Sequence, residues 1–486
     1  MKGMTLDVIC RVSGGTYTGD RALLSREVSQ ITLDNRKLKK DGLFAALCGE
    51  KVDAHTFIPA AYKAGALCCL GTEDMGELPG PYIRVANVSE ALGRIARRYI
   101  QNLNIPKVGI TGSVGKTSTK EAVAAILSAK YKVHKTQGNH NNELGVPITA
   151  FSMTEDDEVA VFEMGIGNFG DMRHLTGIVH PDIAVITNIG VAHMEALGSR
   201  DGILKAKTEI FEGMDGHGTV ILNGDDDKLI TVRDVHGRAP LFFAIQNREG
   251  VIADQIREQG LAGTDCVIHG LRTDDGVTEL SVHIPIPGRH MIYNTMAALL
   301  VAQTFGLTSR EMLDGISRMK TIAGRQNLIR AGKLLLIDDC YNANPVSMKS
   351  SIRLLCSAQG RKVCILGDML ELGENERPMH REVGAFLAGM PVDLLLTVGE
   401  LGKEIAAGAR EAETRKVSKD AGKLNIHAYD TKEQLFKELP KLLEAGDTVL
   451  IKASNGMGFS EIVENCRRRQ RGNPPLPLPV FCYRLL

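Results

Sequence analysis

Residues 109–121 read Gly-Ile-Thr-Gly-Ser-Val-Gly-Lys-Thr-Ser-Thr-Lys-Glu, a composition suited to holding phosphate. A β-type run from Pro106 to Ile110 feeds a glycine-rich turn, and a helix-forming stretch follows from Glu121 to Leu127. Gly112 and Gly115 let the backbone turn tightly and aim its N–H groups inward. The helix N-terminus adds partial positive charge. Ser113, Val114 and Ser118 complete the loop. Lys116 can reach the terminal phosphates of a bound nucleotide, and the Thr117 hydroxyl can hold Mg²⁺. The spacing is shorter than the usual phosphate loop, because Ile110 stands where its first glycine would fall. Taken alone, this motif predicts binding of a nucleoside triphosphate.

Other polar clusters sit at the ends of strand-like runs. Residues 136–147 are Thr-Gln-Gly-Asn-His-Asn-Asn-Glu-Leu-Gly-Val-Pro, with Asn139, Asn141 and Asn142 offering donors and acceptors for ligand contact. Asn and Gly also favour plain turns. Glu163 ends an apolar strand and suits a Mg²⁺ ligand. His193 lies just past the strand that ends at Thr187-Asn188. Magnesium prefers oxygen, so an imidazole there is a departure from habit. Lys205 and Lys207 read, by chemistry alone, as solvated lysines on a helix. Asp338-Asp339-Cys-Tyr-Asn-Ala-Asn-Pro345, Gly367-Asp368-Met369 and Lys452-Ala-Ser-Asn-Gly-Met-Gly458 are further post-strand loops. Such loops face the ligand crevice of a doubly wound sheet.

Three α/β segments must position these groups. Residues 1–104 carry short strands at Gly42–Leu47, Ala66–Leu70 and Tyr82–Val85, then a helix at Val88–Asn102. Residues 105–322 open with the phosphate loop and alternate strands (Val159–Met164, Ile183–Asn188, Thr219–Asn223) with helices, which predicts a mostly parallel sheet. From Leu241 to Pro287 the pattern is short and β-like, an edge insertion, and a helix covers Tyr293–Phe305. Residues 323–486 place strands at Lys333–Asp338, Lys362–Leu366, Asp393–Val398 and Thr448–Lys452, each followed by a helix: a Rossmann-like domain. The tail Asn473–Pro479 reads as extended.

The 486 residues carry 58 basic and 58 acidic side chains, so no global field argues for nucleic acid or a membrane surface. Ten cysteines fall in no metal or disulfide spacing, as in a reducing cytoplasm. The start lacks the apolar core of a signal peptide, and no run of about 18 apolar residues predicts a membrane span. A cytoplasmic monomer is expected.

With these motifs assembled, the chain resembles the Mur ligases of peptidoglycan synthesis. The resemblance rests on Thr111–Glu121, Gly138–Pro147, Gly288–Asn294, Asp339–Pro345 and Leu366–Glu374 in that order, and runs from about Asp34 to about Gly458. It implies a UDP-sugar-binding first domain, an ATP- and Mg²⁺-binding second, and a third that closes on the amine substrate. It also implies the reaction: a carboxylate attacks the γ-phosphate of ATP, and an amine then displaces phosphate from the acyl phosphate. The asparagine-rich loop and the Tyr-Asn-Ala-Asn-Pro run favour the branch that joins D-alanyl-D-alanine to UDP-N-acetylmuramoyl-tripeptide. The alternatives are a ligase adding one amino acid, of Mur or folylpolyglutamate synthetase type, and a non-catalytic ATP-binding switch.

Residue by residue, the resemblance implies two Mg²⁺ sites. Thr117 serves the first, and Glu163 and His193 the second, supported by Lys207 as a carbamate. It places His290 and Asn294 at adenine, Asp339 at ribose and Arg325 at phosphate. Asn342 and Asn344 fall near the reacting centre, and Asp34, Asn35, Arg36, Asp53 and His55 at the uridine end. The late loop departs from the family's usual Lys-Gly-Ser-Arg-Gly, with Ala453 and Asn455 replacing Gly and Arg.

Overall fold

A computed structural model describes residues 1–49, 52–415 and 424–470. The tail expected to be extended lies outside the described residues. The chain is a mixed α/β protein with three sheets, mostly parallel.

The first sheet holds β1 (Thr16–Thr18), β2 (Ile31–Thr32), β3 (Leu43–Ala45), β4 (Cys68–Gly71) and β5 (Tyr82–Arg84), in the order β1-β5-β4-β3-β2. Helices α1 (Leu6–Ser13), α2 (Ile58–Lys63) and α3 (Val88–Leu103) accompany it. On α3, Val88, Ala91, Leu92, Ile95, Ala96, Tyr99 and Ile100 recur every three to four residues and are buried. Asn87 starts the helix by accepting the Glu90 N–H. Each large apolar side chain on that stripe contributes about 1.5–3 kcal/mol of burial. The stripe does not close a separate core. It packs into the same cluster as Phe162, Met172 and Ile186 of the second sheet, and the Tyr99 hydroxyl donates to the Met153 carbonyl at 2.8 Å. Residues 1–256, 265–284 and 290–319 accordingly form one compact unit.

The second sheet has the order β14-β13-β12-β11-β10-β9-β6-β8-β7. Its strands are β6 (Lys107–Thr111), β7 (Val133–Lys135), β8 (Val159–Glu163), β9 (Ile183–Ile186), β10 (Thr219–Asn223), β11 (Leu241–Ala244), β12 (Val251–Glu258), β13 (Thr264–His269) and β14 (Glu279–Ile284). From β7 across to β12 all pairings are parallel. The β-like stretch after Leu241 forms the outer strands. Helices α4 (Lys116–Leu127), α5 (Gly145–Phe151), α6 (Asp171–Val179), α7 (Met194–Leu197), α8 (Arg200–Thr208), α9 (His290–Thr304) and α10 (Ser309–Ser317) connect or cover them.

The second compact unit comprises residues 257–264, 285–289 and 320 onward. Its sheet runs β15-β16-β20-β17-β18-β19: β15 (Asn327–Ala331), β16 (Leu334–Asp338), β17 (Lys362–Gly367), β18 (Leu394–Val398), β19 (Asn425–Tyr429) and β20 (Thr448–Lys452). Only β15 pairs antiparallel. Helices α11 (Pro345–Cys356), α12 (Glu376–Ala388) and α13 (Gly402–Thr414) pack one face, and α14 (Lys432–Leu442) and α15 (Ser460–Gln470) the other. Coverage of both faces explains why β17, β18 and β20 are continuous apolar runs rather than alternating ones. No helix among the described residues is long and apolar enough to cross a membrane.

Candidate active site

Strand β6 lies between β8 and β9, with Ile110 beside Glu163 and Thr111 beside Ile186. That register brings the phosphate loop, Glu163 and the residues after β9 to one sheet end. At Gly112, φ is 149° and a Cβ would stand 1.9 Å from Thr187 Oγ1, so only glycine fits. Gly115, with φ 87°, turns the chain into α4.

The loop is clasped from β9. Thr187 Oγ1 donates to the Val114 carbonyl at 2.6 Å, and Asn188 Nδ2 donates to the same oxygen at 3.0 Å. The Val114 N–H donates to Asn188 Oδ1 at 2.9 Å and the Ser113 N–H to the Asn188 carbonyl at 3.1 Å. Ser113 Oγ accepts from the Gly190 N–H at 2.9 Å. This corrects one expectation. The amides of Ser113 and Val114 are spent on the clasp, so the donors that an anion would meet are the first-turn amides of α4, through Ser118. Lys116 Nζ donates to the Gly112 carbonyl at 2.7 Å, folded over the loop. Asn188 was missed as a functional residue, because its duty depends on β9 lying beside β6.

Glu163 is 2% exposed. Its Oε1 accepts from Thr117 Oγ1 at 3.1 Å and from Asn141 Nδ2 at 2.8 Å. Its Oε2 is buried and makes no hydrogen bond, with Lys120 Nζ 3.5 Å away. A buried carboxylate oxygen without a hydrogen bond is costly, and a hard cation beside it relieves that cost. The donor set fits Mg²⁺ bound through the Thr117 hydroxyl and Glu163, with ligand and water oxygens completing it. Among the described residues, no cluster of three or more His, Cys, Asp or Glu side chains forms a closed metal site. Lys120 was not anticipated; it lies one helical turn from Lys116 and is buried against Glu121 and Glu163.

Lys207 overturns the reading of a solvated lysine. It is 1% exposed on α8, with Ile203 and Ala206 on the same buried face, while Lys205 is exposed as expected. Burial, reinforced by the charge of Lys116, pushes its pKa down to about 7. His193 stands in a left-handed conformation before α7 and is exposed, unlike the buried Thr117–Glu163 pair.

Of the asparagines before α5, Asn141 reaches Glu163. Asn142 Oδ1 instead accepts the Gly145 N–H at 2.8 Å, and Asn139 is exposed. His290 opens α9 and is exposed. Asn294, one turn on, is buried, with Oδ1 accepting from Thr119 Oγ1 at 3.1 Å and Nδ2 donating to Met291 Sδ at 3.3 Å. Asn294 therefore braces α4 from behind the loop.

In the first sheet's loops, Arg36 grips Asp34 through two hydrogen bonds of 2.8 and 2.9 Å, with Asn35 half-buried between them. The Arg36 guanidinium holds the Asp34 carboxyl below the usual range. His55 is buried. Its Nε2 accepts the Thr72 N–H at 3.0 Å, which leaves the proton on Nδ1 to donate to Asp53 at 2.6 Å. Both ring nitrogens are thus committed inside the fold, so His55 orients Asp53 instead of offering itself to a ligand.

In the second unit, Asp339 is a hub. Oδ1 accepts the Gln326 N–H at 3.1 Å; Oδ2 accepts from Ser351 Oγ at 2.5 Å and Lys452 Nζ at 2.7 Å. Lys452 also donates to the Asn342 carbonyl at 2.9 Å. Arg325 stacks on the Tyr341 ring at 4.1 Å. Asn342 Oδ1 accepts its neighbour's N–H, and Asn344 caps α11 by accepting the Ser347 N–H.

Comparison with known proteins matches this geometry to one family. The Mur ligase catalytic-domain profile covers residues 27–100, the Mur ligase middle-domain profile 110–302, and the Mur ligase glutamate ligase domain profile 324–455. A UDP-N-acetylmuramoyl-tripeptide–D-alanyl-D-alanine ligase of Bacillus subtilis (strain 168) is 37% identical over 440 residues, 90% of this chain and 92% of that protein. A crystal structure of MurF from Acinetobacter baumannii superposes with a TM-score of 0.85 at 28% identity, covering 96% of this chain and 98% of that one. A MurF ligase of Thermotoga maritima in complex with ADP gives 0.76 at 27% identity, covering 91% and 98%. The chain belongs to the Mur ligase family.

Proposed function

We propose that the chain is the dipeptide-adding member of the family, an ATP-dependent ligase that joins D-alanyl-D-alanine to UDP-N-acetylmuramoyl-tripeptide in the cytoplasm. Residues 1–104 serve the UDP end, 105–322 the nucleotide and metal, and 323–486 the amine. The observation that carries the reading is Glu163 at the foot of the phosphate loop, its Oε1 bonded to Thr117 and its buried Oε2 without a hydrogen bond.

Lys116 and the first-turn amides of α4 hold the transferring phosphoryl group and stabilise its developing charge. Thr117 and Glu163 would hold Mg²⁺, which would supply positive charge to offset the repulsion between the substrate carboxylate and the phosphates. Lys207, with its pKa near 7, has an amine that is largely unprotonated at mildly alkaline pH. Such an amine can add CO₂ with loss of a proton, giving a carbamate whose oxygens would support a second metal together with Glu163 and His193. Asp53, set by His55, and the Asp34–Arg36 loop serve the uridine end. The substrate carboxylate attacks the γ-phosphorus and ADP departs. The dipeptide amine then attacks the acyl carbon, loses a proton, and phosphate leaves.

The test is phosphate release by the full chain with ATP, Mg²⁺ and UDP-N-acetylmuramoyl-tripeptide, comparing D-alanyl-D-alanine with single amino acids. Turnover that depends on the dipeptide is expected. Release with a single amino acid and none with the dipeptide would refute the reading.

A further inference from the structure

β17 and β20 are adjacent, parallel strands whose chains leave in opposite directions. After β17 comes α12, whose Val383 and Leu387 pack one face. After β20 comes α15, whose Ile462, Val463 and Cys466 pack the other. Such a divergence opens a crevice between the two loops, and open α/β sheets bind ligands there.

The two loops are stitched together from buried groups. The Ser454 N–H donates to the Asp368 carbonyl at 3.0 Å, and the Leu370 N–H donates to Ser454 Oγ at 2.9 Å. Between them, the Met369 N–H donates to His380 Nε2 at 2.8 Å. That leaves the imidazole proton on Nδ1, which donates to the Glu376 carbonyl at 2.6 Å. Asp368 Oδ1 accepts the Gly402 N–H at 2.7 Å. Three successive residues are thereby fixed. The side chain of the third, Leu370, is nevertheless 40% exposed. Its Cδ1 would lie 3.1 Å from a Cβ at Gly456, so it rests over the bare backbone of the β20 loop. Glu371, with φ 63°, then turns the chain away. The fold spends buried polar groups on holding one apolar side chain open to solvent at the carboxyl ends of β17 and β20, the sheet end where such folds bind ligands.

We infer that Leu370 is a specificity-determining residue of the amine subsite, its side chain meeting the methyl groups of the incoming dipeptide, with His380 and Ser454 as positioning residues. The inference rests on the function proposed above. An apolar contact of this size discriminates methyl-bearing substrates from ones lacking methyls by roughly tenfold or more.

The experiment measures phosphate release by the full chain at saturating ATP and UDP-N-acetylmuramoyl-tripeptide, varying D-alanyl-D-alanine or glycylglycine. Leu370→Ala is expected to raise KM for D-alanyl-D-alanine roughly tenfold and to shrink the preference over glycylglycine by a similar factor, with kcat and the KM for ATP unchanged. His380→Ala should show the same selective rise. His380→Gln should reverse it, because its amide can accept from Met369 and donate to Glu376. Unchanged KM and preference in Leu370→Ala would overturn the inference, as would a His380→Ala loss spread over kcat and both KM values with no rescue by Gln. Wild-type turnover with a flat Leu370→Ala profile rejects the subsite alone. Wild-type failure with the dipeptide rejects the function and the subsite together.

Discussion

Lys207 in the nucleotide-binding unit and Lys452 in the Rossmann-like unit are equally hidden, at 1% and 2% exposure. Lys452 lies 2.7 Å from the Asp339 carboxylate and also donates to a backbone carbonyl. Lys207 has the charge of Lys116 nearby, and no acid forms an ion pair with it among the described residues. The same burial therefore has opposite consequences. A paired buried cation is part of the architecture and ties the ends of two strands. An unpaired one is driven toward its neutral form, and a neutral lysine amine can react. The carboxylates repeat the contrast: both oxygens of Asp339 are bonded within the fold, whereas Glu163 keeps one oxygen without a hydrogen bond.

Methionine at each position separates the two cases, since it keeps the stem and removes the charge. Lys207→Met should lower turnover by roughly 10²–10³-fold, the scale of losing one electrostatic support for the transition state, while raising Tm. Lys452→Met should lower stability by about 3–5 kcal/mol, because Asp339 is left buried and uncompensated. Thermal melts and phosphate release on both variants check this. Equal signs of ΔTm would break the comparison.

A pH series sharpens it. Lys207 has a folded pKa of about 7 against an ordinary 10.5. Between those values the folded chain binds fewer protons than the unfolded one, so stability rises with pH. The contribution is complete above about pH 10.5 and lost as pH falls through about 7. Lys207→Met should flatten the slope of Tm in that window. A slope equal to that of the unmodified chain would show that Lys207 is not the group responsible.

Asn188→Ala tests whether the clasp matters as much as the groups it positions. It removes two side-chain bonds to Val114. The KM for ATP should rise roughly tenfold, the cost of a misplaced loop rather than of a lost charge. An unchanged KM would mean that Gly112 and Gly115 shape the loop without help.

The phosphate loop could be read from the sequence because phosphate dictates the residue types: glycines where φ is positive, lysine and threonine at the helix start. The central strands of all three sheets could be found as apolar runs for a related reason, since burial on both faces leaves little choice of residue, whereas the short, half-buried β1, β2, β7, β15 and β19 carry no such run. By chemistry alone Lys207 looked solvated, because a lysine on a short helix does so until the helix packs; only the family resemblance marked it as a site residue. Its burial comes from the cluster holding Ile203 and Ala206, assembled from distant segments. The partners of Asn188, Lys120 and Lys452 could not be read for the same reason: they lie 74, 43 and 113 residues away. Nor does composition reveal that the first and second sheets share one core, since Tyr99 looks the same whether it meets its own sheet or the next.

Asn344 offers the finest distinction between building and reacting. Its side chain caps α11 and completes a reciprocal pair with Ser347, yet the family resemblance places it near the reacting centre. Asn and Asp cap equally well, while alanine forfeits about 1 kcal/mol. Asn344→Ala should therefore lose about that much stability, and Asn344→Asp should keep it. The activities of the two variants then separate the roles. If capping is the whole duty, Asn344→Asp turns over like the unmodified chain. If the amide nitrogen contacts phosphate or substrate carboxylate, Asp replaces a donor with an anion, and turnover falls although Tm does not. We expect the second outcome. The carboxamide oxygen is taken by the Ser347 N–H, and an amide nitrogen can only donate, so a contact of that nitrogen with an anion would let one residue serve both the helix and the site.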